Sequence, residues 1–297
     1  MMRVAILGST GMLGSAITRF METQDVQVTE FNRLGKSING KNTAIKIDVL
    51  GDYVLSNVFK GIEIDFVINS IGMVKQVIDE HSGKDIFEAK RINSEFLENL
   101  NIFSGYTGIP IIQIGTDCVY SGKTGQYSEN SYFDPIDTYG ITKNVGEQSL
   151  SEAMLIRCSI IGREMKSFVS LIEWVLKQPI GAKINGFTNH FWNGVTTLQF
   201  SEIVSGVLKT DGFRKGTVHL VPSNVISKNK LIKLIAAEFG RTDLEICDFV
   251  AENAVNRSLV TVDPARNLQM WRAGGYNEVP SIQEMVSKYA QWTTDID

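Results

Sequence analysis

The chain has 297 residues, of which 43% are hydrophobic and 21% charged, so it has room for one large domain or two closely packed ones. This balance and a mean hydropathy of −0.01 exclude a disordered or collagen-like chain. Its apolar runs are far shorter than the roughly 20 residues that span a bilayer. A formal net charge of −4 offers no general attraction to nucleic acid or to an anionic membrane, so neither is expected as a partner.

The three cysteines, Cys118, Cys158 and Cys247, are odd in number and widely spaced, which favours a reducing compartment. The apolar N-terminus, residues 1–8, is too short for a signal peptide and runs into a glycine turn. A cytoplasmic location is therefore expected. The three histidines are scattered without ligand spacing, and no metal is expected.

Short aliphatic runs alternate with amphipathic stretches, which is the pattern of a parallel sheet flanked by helices. In chain order the predicted elements are strand 3–7, helix 12–22, strands 26–31 and 44–47, helix 51–59, strand 66–69, helix 87–104, strand 111–115, helix 139–153, strand 155–160, and helices 168–177, 201–209, 228–239 and 282–292. The prediction is an α/β fold with a Rossmann-type, doubly wound parallel sheet and a smaller C-terminal α/β substrate-binding domain. Residues 1–162, completed by a segment near 190–210, are expected to form the nucleotide-binding part, and residues 163–297 mainly the substrate-binding part.

A glycine-rich turn lies between the first predicted strand and helix. Gly8, Gly11 and Gly14 allow a tight turn and let backbone amides approach a pyrophosphate at the helix N-terminus. The spacing is GxxGxxG rather than GxGxxG, and a glycine turn alone could serve only packing. Its position between strand and helix, with a second strand following, indicates a dinucleotide site.

The end of the second strand carries Arg33 where an NAD-selective site usually places an acid. A guanidinium matches a 2′-phosphate, so NADPH is favoured and NADH is the alternative. The other interpretation of Arg33 is a solvated loop charge. After the next strand, Asp48 and Val49 are predicted to contact the adenine, although Asp48 is also an ordinary strand-ending residue.

Tyr139 and Lys143 are four residues apart, so on a helix their side chains share one face. A nearby lysine cation is expected to lower the pKa of the tyrosine from about 10. Many surface helices contain such a pair. The pair is informative in this chain because Thr116 lies at the end of an upstream strand, where its hydroxyl can hydrogen-bond a substrate carbonyl.

Taken together and in this order, these motifs resemble those of the extended short-chain dehydrogenase/reductases. Within that superfamily the chain most resembles the dTDP-4-dehydrorhamnose reductase group, which acts on nucleotide-linked 4-keto sugars. The resemblance is strong over residues 1–162 and weaker but continuous beyond them. The segments that carry it are the glycine turn, 69–72, Asn93, 115–122, 139–147 and 157–162.

The resemblance implies roles for these residues. Tyr139 is the general acid, Lys143 binds the nicotinamide ribose and tunes Tyr139, Thr116 holds the substrate oxygen, and Asn93 supports the lysine through backbone and water contacts. The implied cofactor contacts are Gly8, Thr10, Gly11, Met12, Leu13, Gly14, Asn32, Arg33, Asp48, Val49, Asn69, Ser70, Gly72, Tyr139 and Lys143. The implied substrate contacts are Val74, Thr116, Asp117, Cys118, Tyr139, Ser159, His190 and Trp192.

Other interpretations stay open for some of these residues. Thr116 and Asn93 could cap a strand end and a helix, and His190 and Trp192 could be interdomain packing. The chain also departs from the group, with Cys118 where a tyrosine is common and Ile160 where a tryptophan is often found. These departures do not affect the residues expected to carry the reductase chemistry, but they leave the sugar and its nucleotide unassigned.

The leading hypothesis is an NADPH-dependent reductase of a nucleotide-linked 4-keto-6-deoxy sugar, serving surface polysaccharide or nucleotide-sugar biosynthesis. One alternative is an epimerase or dehydratase of the same superfamily. Another is a non-catalytic regulatory subunit on the same scaffold, as in methionine adenosyltransferase. Oligomeric state stays open, with a homodimer as one arrangement.

Overall fold

A seven-stranded parallel sheet organises the chain, and the computed structural model describes it with the rest of residues 1–166 and 168–296. In chain order the strands and α-helices are β1 (Met2–Leu7), α1 (Met12–Met21), β2 (Val26–Asn32), β3 (Thr43–Lys46), α2 (Leu55–Val58), β4 (Phe66–Asn69), α3 (Gly83–Lys90), α4 (Phe96–Thr107), β5 (Ile111–Gly115), α5 (Thr138–Gln148), β6 (Ala153–Arg157), β7 (Ile160–Ile161), α6 (Leu171–Leu176), β8 (Lys183–Phe187), β9 (His190–Trp192), β10 (Val195–Thr196), α7 (Thr197–Lys209), β11 (Gly216–His219), β12 (Ile226–Ser227), α8 (Lys228–Glu238), β13 (Glu245–Phe249), β14 (Val255–Asn256), α9 (Pro264–Ala273) and α10 (Ile282–Ile296).

The strand order of the sheet is β11-β6-β5-β4-β1-β2-β3. Because the order reverses at β1, the connections after β1 and β4 leave in opposite directions. A crevice opens there at the carboxyl ends of the strands, which is where open α/β sheets bind ligands. The predicted α/β fold class is confirmed.

The strand β1 shows why these sequences form a sheet covered on both faces. Val4 and Ile6 pack into a core cluster that also contains α7 residues, whereas Ala5 and Leu7 pack into the cluster formed with α4. Successive strand residues point to opposite faces, so an unbroken aliphatic run fits only a strand buried on both sides.

The structure differs from the sequence prediction in several places within the first 162 residues. The predicted helix 139–153 ends at Gln148, and β6 already begins at Ala153. A π-helical turn at Arg91–Glu95 interrupts the predicted helix 87–104. The predicted helix 51–59 is reduced to α2. The predicted strand 155–160 ends at Arg157, and Ile160–Ile161 pairs instead with Val195–Thr196.

The sheet also extends beyond residue 162, because its outer strand is β11, which pairs with β6. The sequence Gly216-Thr-Val-His219 has one aliphatic residue and carries little strand signal. Small sheets built from β8, β9 and β12–β14 were missed for the same reason. The assignment of residues 163–297 to substrate binding stays a prediction.

The helices α7 and α9 pack so closely that a Cβ on Gly206 would overlap the carbonyl oxygen of Ala273. We therefore expect Gly206→Ala to lower the free energy of unfolding in urea by about 1–3 kcal/mol, since backbone must shift to make room. Gly105→Ala is the matched control, because a Cβ on this α4 residue makes only an ordinary contact 3.8 Å from Glu152. The control should keep or raise stability by about 1 kcal/mol through helix propensity. Equal effects of the two substitutions would contradict the packing argument.

Candidate functional site

The glycine turn after β1 leaves the N-terminus of α1 open. Gly8 has φ 84° and donates its N–H to the carbonyl of Phe31 at 2.8 Å. A Cβ on Gly14 would overlap the carbonyl oxygen of Gly8, so the helix can approach the turn only with glycine there. The N-cap, Gly11, has no side-chain cap and the first turn has no acidic residue. The first N–H groups of α1 are therefore available to an anion.

The other cofactor contacts predicted at this turn are Thr10, Met12 and Leu13, and they differ in how deeply they are buried. Thr10 is half-buried in the turn, Met12 begins α1, and Leu13 lies in the core.

Asn32, at the end of β2, shapes the loop beside the glycine turn. It is 3% exposed, and its amide donates to Ser9 Oγ at 2.9 Å and to the carbonyl of Lys36 at 3.0 Å. The side-chain oxygen of Asn32, Oδ1, accepts the N–H of Leu34. These bonds hold Arg33 on the outside, where it is exposed and has no ion pair or hydrogen bond with any residue the structure describes.

The loop after β3 places Asp48 and Val49 differently from each other. Asp48 is exposed and accepts the N–H of Leu50 at 3.1 Å, which is a strand-ending turn. Val49 is buried in the core on the α4 face. Only Asp48 has a side chain at the surface.

The residues at the end of β4 are bonded into the protein rather than into the crevice. The Asn69 amide donates to Gln113 Oε1 at 2.6 Å and its oxygen accepts the N–H of Ile71. Ser70 Oγ donates to the carbonyl of Leu7 at 2.7 Å. These two side chains fix the loop, and exposed Gly72 presents backbone. Val74, further along the loop, is exposed.

Asn93 lies inside the π-helical turn and is fully buried. Its oxygen accepts the N–H of Met73 at 2.9 Å, and its amide donates to the Met73 carbonyl and to Thr142 Oγ1. The side chain therefore holds the loop after β4 against α5, one residue from Lys143. It does not cap a helix, and π-turns are frequent at functional sites.

Thr116, Tyr139 and Lys143 converge at the end of β5. The Thr116 hydroxyl accepts the N–H of Cys118 at 3.1 Å and acts on the phenol of Tyr139, and Lys143 Nζ donates to the carbonyl of Ile114 at 3.3 Å. Asp137 caps α5 by accepting the N–H of Gly140 at 2.8 Å, as the predicted helix start required.

The expected lowering of the Tyr139 pKa by Lys143 is wrong. Burial raises the pKa of Tyr139 well above its usual value, and the hydrogen bond with Thr116 lowers it only in part. Burial also lowers the pKa of Lys143, while the carboxylate of Glu147 raises it. The phenol therefore stays protonated at neutral pH.

Asp117, Cys118 and Ser159 lie on the other side of Thr116. Burial raises the pKa of Asp117, and the charges of Arg257 and Lys228 lower it. Burial, with the nearby Asp117 charge, raises the pKa of Cys118 to about 12, so its thiol is neutral.

The structure does not gather His190 and Trp192 into one ligand surface. Trp192 is 3% exposed and donates its indole N–H to Ser159 Oγ at 2.9 Å. The His190 ring packs 4.5 Å from Phe187, and its Nε2 lies 3.0 Å from the carbonyl of Asn253.

Four charged residues that sequence analysis gave no role lie around the site. Glu147 and Arg157 form a buried ion pair at 2.9 Å, and Lys228 and Arg257 act on the charge of Asp117. Glu147 could have been found, because it continues the face of Tyr139 and Lys143 by one more helical turn. Lys228 and Arg257 carry no local signal, since distant parts of the chain bring them in.

No helix within 1–166 or 168–296 is both long and apolar enough to cross a membrane. In the same ranges, no group of three or more His, Cys, Asp or Glu side chains is arranged to hold a metal ion.

Comparison with known proteins identifies relatives of this chain. It is 24% identical over 156 residues to methionine adenosyltransferase 2 subunit beta of Danio rerio, which covers 50% of this chain and 43% of that protein. The chain spans about half the length of the curated relatives it matches.

Solved structures share the fold at low identity. A dTDP-4-dehydrorhamnose reductase of Bacillus anthracis in complex with NADP is 19% identical, with a TM-score of 0.78 over 99% of this chain and 100% of that one. The Bordetella bronchiseptica enzyme WbmG in complex with NAD and UDP is 16% identical, with a TM-score of 0.77 over 98% of this chain and 94% of that one.

A family model described as the RmlD substrate binding domain matches residues 2–258, which is most of the chain. The resemblance found in the sequence motifs is thereby confirmed at the level of the family. The chain belongs to the RmlD substrate binding domain family.

Proposed function

We propose that the protein is an NADPH-dependent reductase of a nucleotide-linked 4-keto-6-deoxy sugar. The observation that carries the proposal is the convergence of Thr116, Tyr139 and Lys143 at the crevice edge of the sheet. A protonated phenol, a neighbouring hydroxyl and a buried lysine are the groups needed to protonate a carbonyl oxygen during its reduction.

The residues around the glycine turn fit a dinucleotide phosphate. The uncapped N-terminus of α1 suits the pyrophosphate, and the close approach at Gly14 leaves backbone rather than side chain facing it. Arg33 is exposed at the end of β2 with no partner among the described residues, which suits a 2′-phosphate. NADH is the alternative cofactor.

When bound, the reduced nicotinamide supplies the hydride. Tyr139 gives its proton to the carbonyl oxygen, and burial keeps that proton in place at neutral pH. The Thr116 hydroxyl orients the same oxygen. The Lys143 ammonium, 3.3 Å from the Ile114 carbonyl, holds the cofactor ribose and stabilises the phenolate left behind.

The charges beyond Thr116 support a nucleotide-sugar substrate. Lys228 and Arg257 place positive charge beside Asp117 and lower its pKa, while burial lowers the pKa of Lys228 itself. This local positive charge suits the diphosphate of a nucleotide sugar. Asp117, Cys118 and Ser159 are then the polar groups nearest the sugar.

Cys118 argues against a dehydratase. Dehydratases of this superfamily add an acid and a base beside the threonine, and here the second position is a thiol. Its pKa of about 12 keeps that thiol neutral, so it is a poor base. An epimerase normally retains NAD, which Arg33 disfavours.

The likeness to methionine adenosyltransferase 2 subunit beta supports a second candidate, a regulatory subunit that binds a dinucleotide without turnover. The protonated Tyr139 with its Thr116 and Lys143 neighbours favours the enzyme.

We also propose surface polysaccharide or nucleotide-sugar biosynthesis in the cytoplasm as the setting. The three cysteines are unpaired, which suits a reducing compartment. A homodimer is the assembly proposed.

Tyr139→Phe should lower kcat/KM by about 10²–10⁴-fold, because the general acid is removed. Turnover is followed by the loss of reduced-nicotinamide absorbance with a panel of dTDP-, UDP-, GDP- and CDP-linked 4-keto-6-deoxy sugars. NADPH binding, measured by fluorescence, should change by less than about 3-fold, since phenylalanine keeps the ring. Tyr106→Phe, an exposed phenol on α4, is the matched control and should behave as wild type. Near-full rate in Tyr139→Phe would refute the reductase, and tight NADPH binding by wild type without turnover would favour the regulatory subunit.

Arg33→Ala should raise the KM for NADPH about 10-fold or more and leave the KM for NADH nearly unchanged, because a charge-assisted bond to the 2′-phosphate contributes about 1.5–3 kcal/mol. Arg272→Ala, which removes an exposed arginine on α9, controls for net charge. An equal change of the KM for NADPH and the KM for NADH would show that Arg33 does not bind the 2′-phosphate.

A further inference from the structure

The carboxylate of Glu147 is shared between the site and a buried arginine. Its Oε1 accepts the backbone N–H of Thr116 at 3.0 Å and lies 3.9 Å from Lys143 Nζ. Its Oε2 accepts two bonds from Arg157, at 2.9 and 3.3 Å. The side chains of Glu147 and Arg157 are 1% and 2% exposed.

We propose that Glu147, held in place by Arg157, is a positioning residue that sets the Thr116 hydroxyl and the Lys143 ammonium in register with the phenol of Tyr139. The inference rests on the proposed reductase, in which these three groups act together.

The two oxygens of Glu147 have separate tasks. The guanidinium of Arg157 binds Oε2 through two nitrogens, which leaves Oε1 for the Thr116 N–H and the Lys143 ammonium. Arg157 is itself held, with one nitrogen 3.4 Å from the Tyr120 hydroxyl and 3.1 Å from His219 Nε2. The chain of contacts runs from β11 through β6 to the ends of α5 and β5.

A packing role alone does not require this arrangement. Apolar residues of similar volume often replace a buried ion pair without loss of stability. Here one oxygen of the pair touches the backbone of one proposed catalytic residue and the ammonium of another. The bond from Glu147 thereby fixes the backbone at Thr116, whose side chain acts on Tyr139.

The charge of Glu147 acts on both groups that must stay protonated. It raises the pKa of Lys143, which burial and the Arg157 charge lower. Burial raises the pKa of Tyr139, and the charges of Glu147 and Asp117 raise it further. Removing the charge lowers both pKa values, so the activity of the variant should be lost at a lower pH than that of wild type.

Glu147→Gln tests the inference, because it keeps the shape and an acceptor for the Thr116 N–H but removes the charge. We expect kcat to fall about 10²-fold, the cost of a small misplacement of reacting groups. The KM for the sugar nucleotide should change by less than about 3-fold, and the alkaline limb of the pH–rate profile should move to lower pH by about one unit.

Glu173→Gln is the matched control, since Glu173 is a buried acid on α6 paired with Arg163. Thermal melting of both variants is measured, and the control should lose stability without a change in kcat or in the pH profile. If Glu147→Gln melts lower but keeps the wild-type kcat and alkaline limb, the pair is only structural and the inference is overturned.

Arg157→Lys is the second variant, in case Glu147→Gln fails to fold. The lysine keeps a cation but loses the two hydrogen bonds to Glu147 Oε2. We therefore expect kcat to fall about 10-fold or more with little change in KM. A wild-type kcat in this variant would overturn the inference.

NADPH affinity separates this inference from the proposed function. If wild type turns over no sugar in the panel, the reductase proposal fails, but fluorescence titration with NADPH still tests Glu147. A dissociation constant raised about 3-fold or more in Glu147→Gln and unchanged in Glu173→Gln supports positioning of Lys143. Equal constants in the two variants overturn it.

Discussion

The buried carboxylate of Glu147 is the group on which the arrangement of the site depends. It joins the end of β5, the middle of α5 and the end of β6 through contacts to Thr116, Lys143 and Arg157. Leaving either charge of such a pair without its partner costs about 3–5 kcal/mol, so a substitution that removes only Glu147 or only Arg157 disturbs all three elements. The geometry of the site is therefore set by contacts in the interior of the protein.

Local charge and overall charge have opposite signs in this chain. The protein carries a formal net charge of −4, yet the crevice presents the open N-terminus of α1, and Arg33, Lys228 and Arg257 lie around it. The positive groups are thus local to the crevice, while the net charge of the chain is negative. Such a distribution favours phosphorylated ligands that are small enough to enter, and it disfavours polyanions.

The first half of the fold could be predicted from the sequence because its strands are buried on both faces. The bounds of Phe66–Asn69 and Ile111–Gly115 agree to the residue, since short aliphatic runs of this kind are typical of strands buried in a parallel sheet. β11 and the small sheets were missed because short, half-polar strands depend on partners distant in sequence.

The convergence of Thr116, Tyr139 and Lys143 followed from helix periodicity and a strand end, but their electrostatics did not. Spacing indicates which side chains are neighbours and says nothing of how deeply they are buried, so the sign of the Tyr139 pKa shift was wrong. Trp192 illustrates the same limit, because an aromatic residue beside donors looks the same in sequence whether it binds a ligand or fills the interior.

The outermost strand of the sheet, β11, is translated long after the strand it pairs with. Between Arg157 and Gly216 the ribosome adds 58 residues (216 − 157 − 1), on the order of 3–12 s at about 5–20 residues per second. During that interval β6 is an unpaired edge, a template for mispairing, and Arg157 lacks the ring of His219. The nascent N-terminal half must therefore wait for the C-terminal half, and the two are expected to reach the native state together rather than in succession.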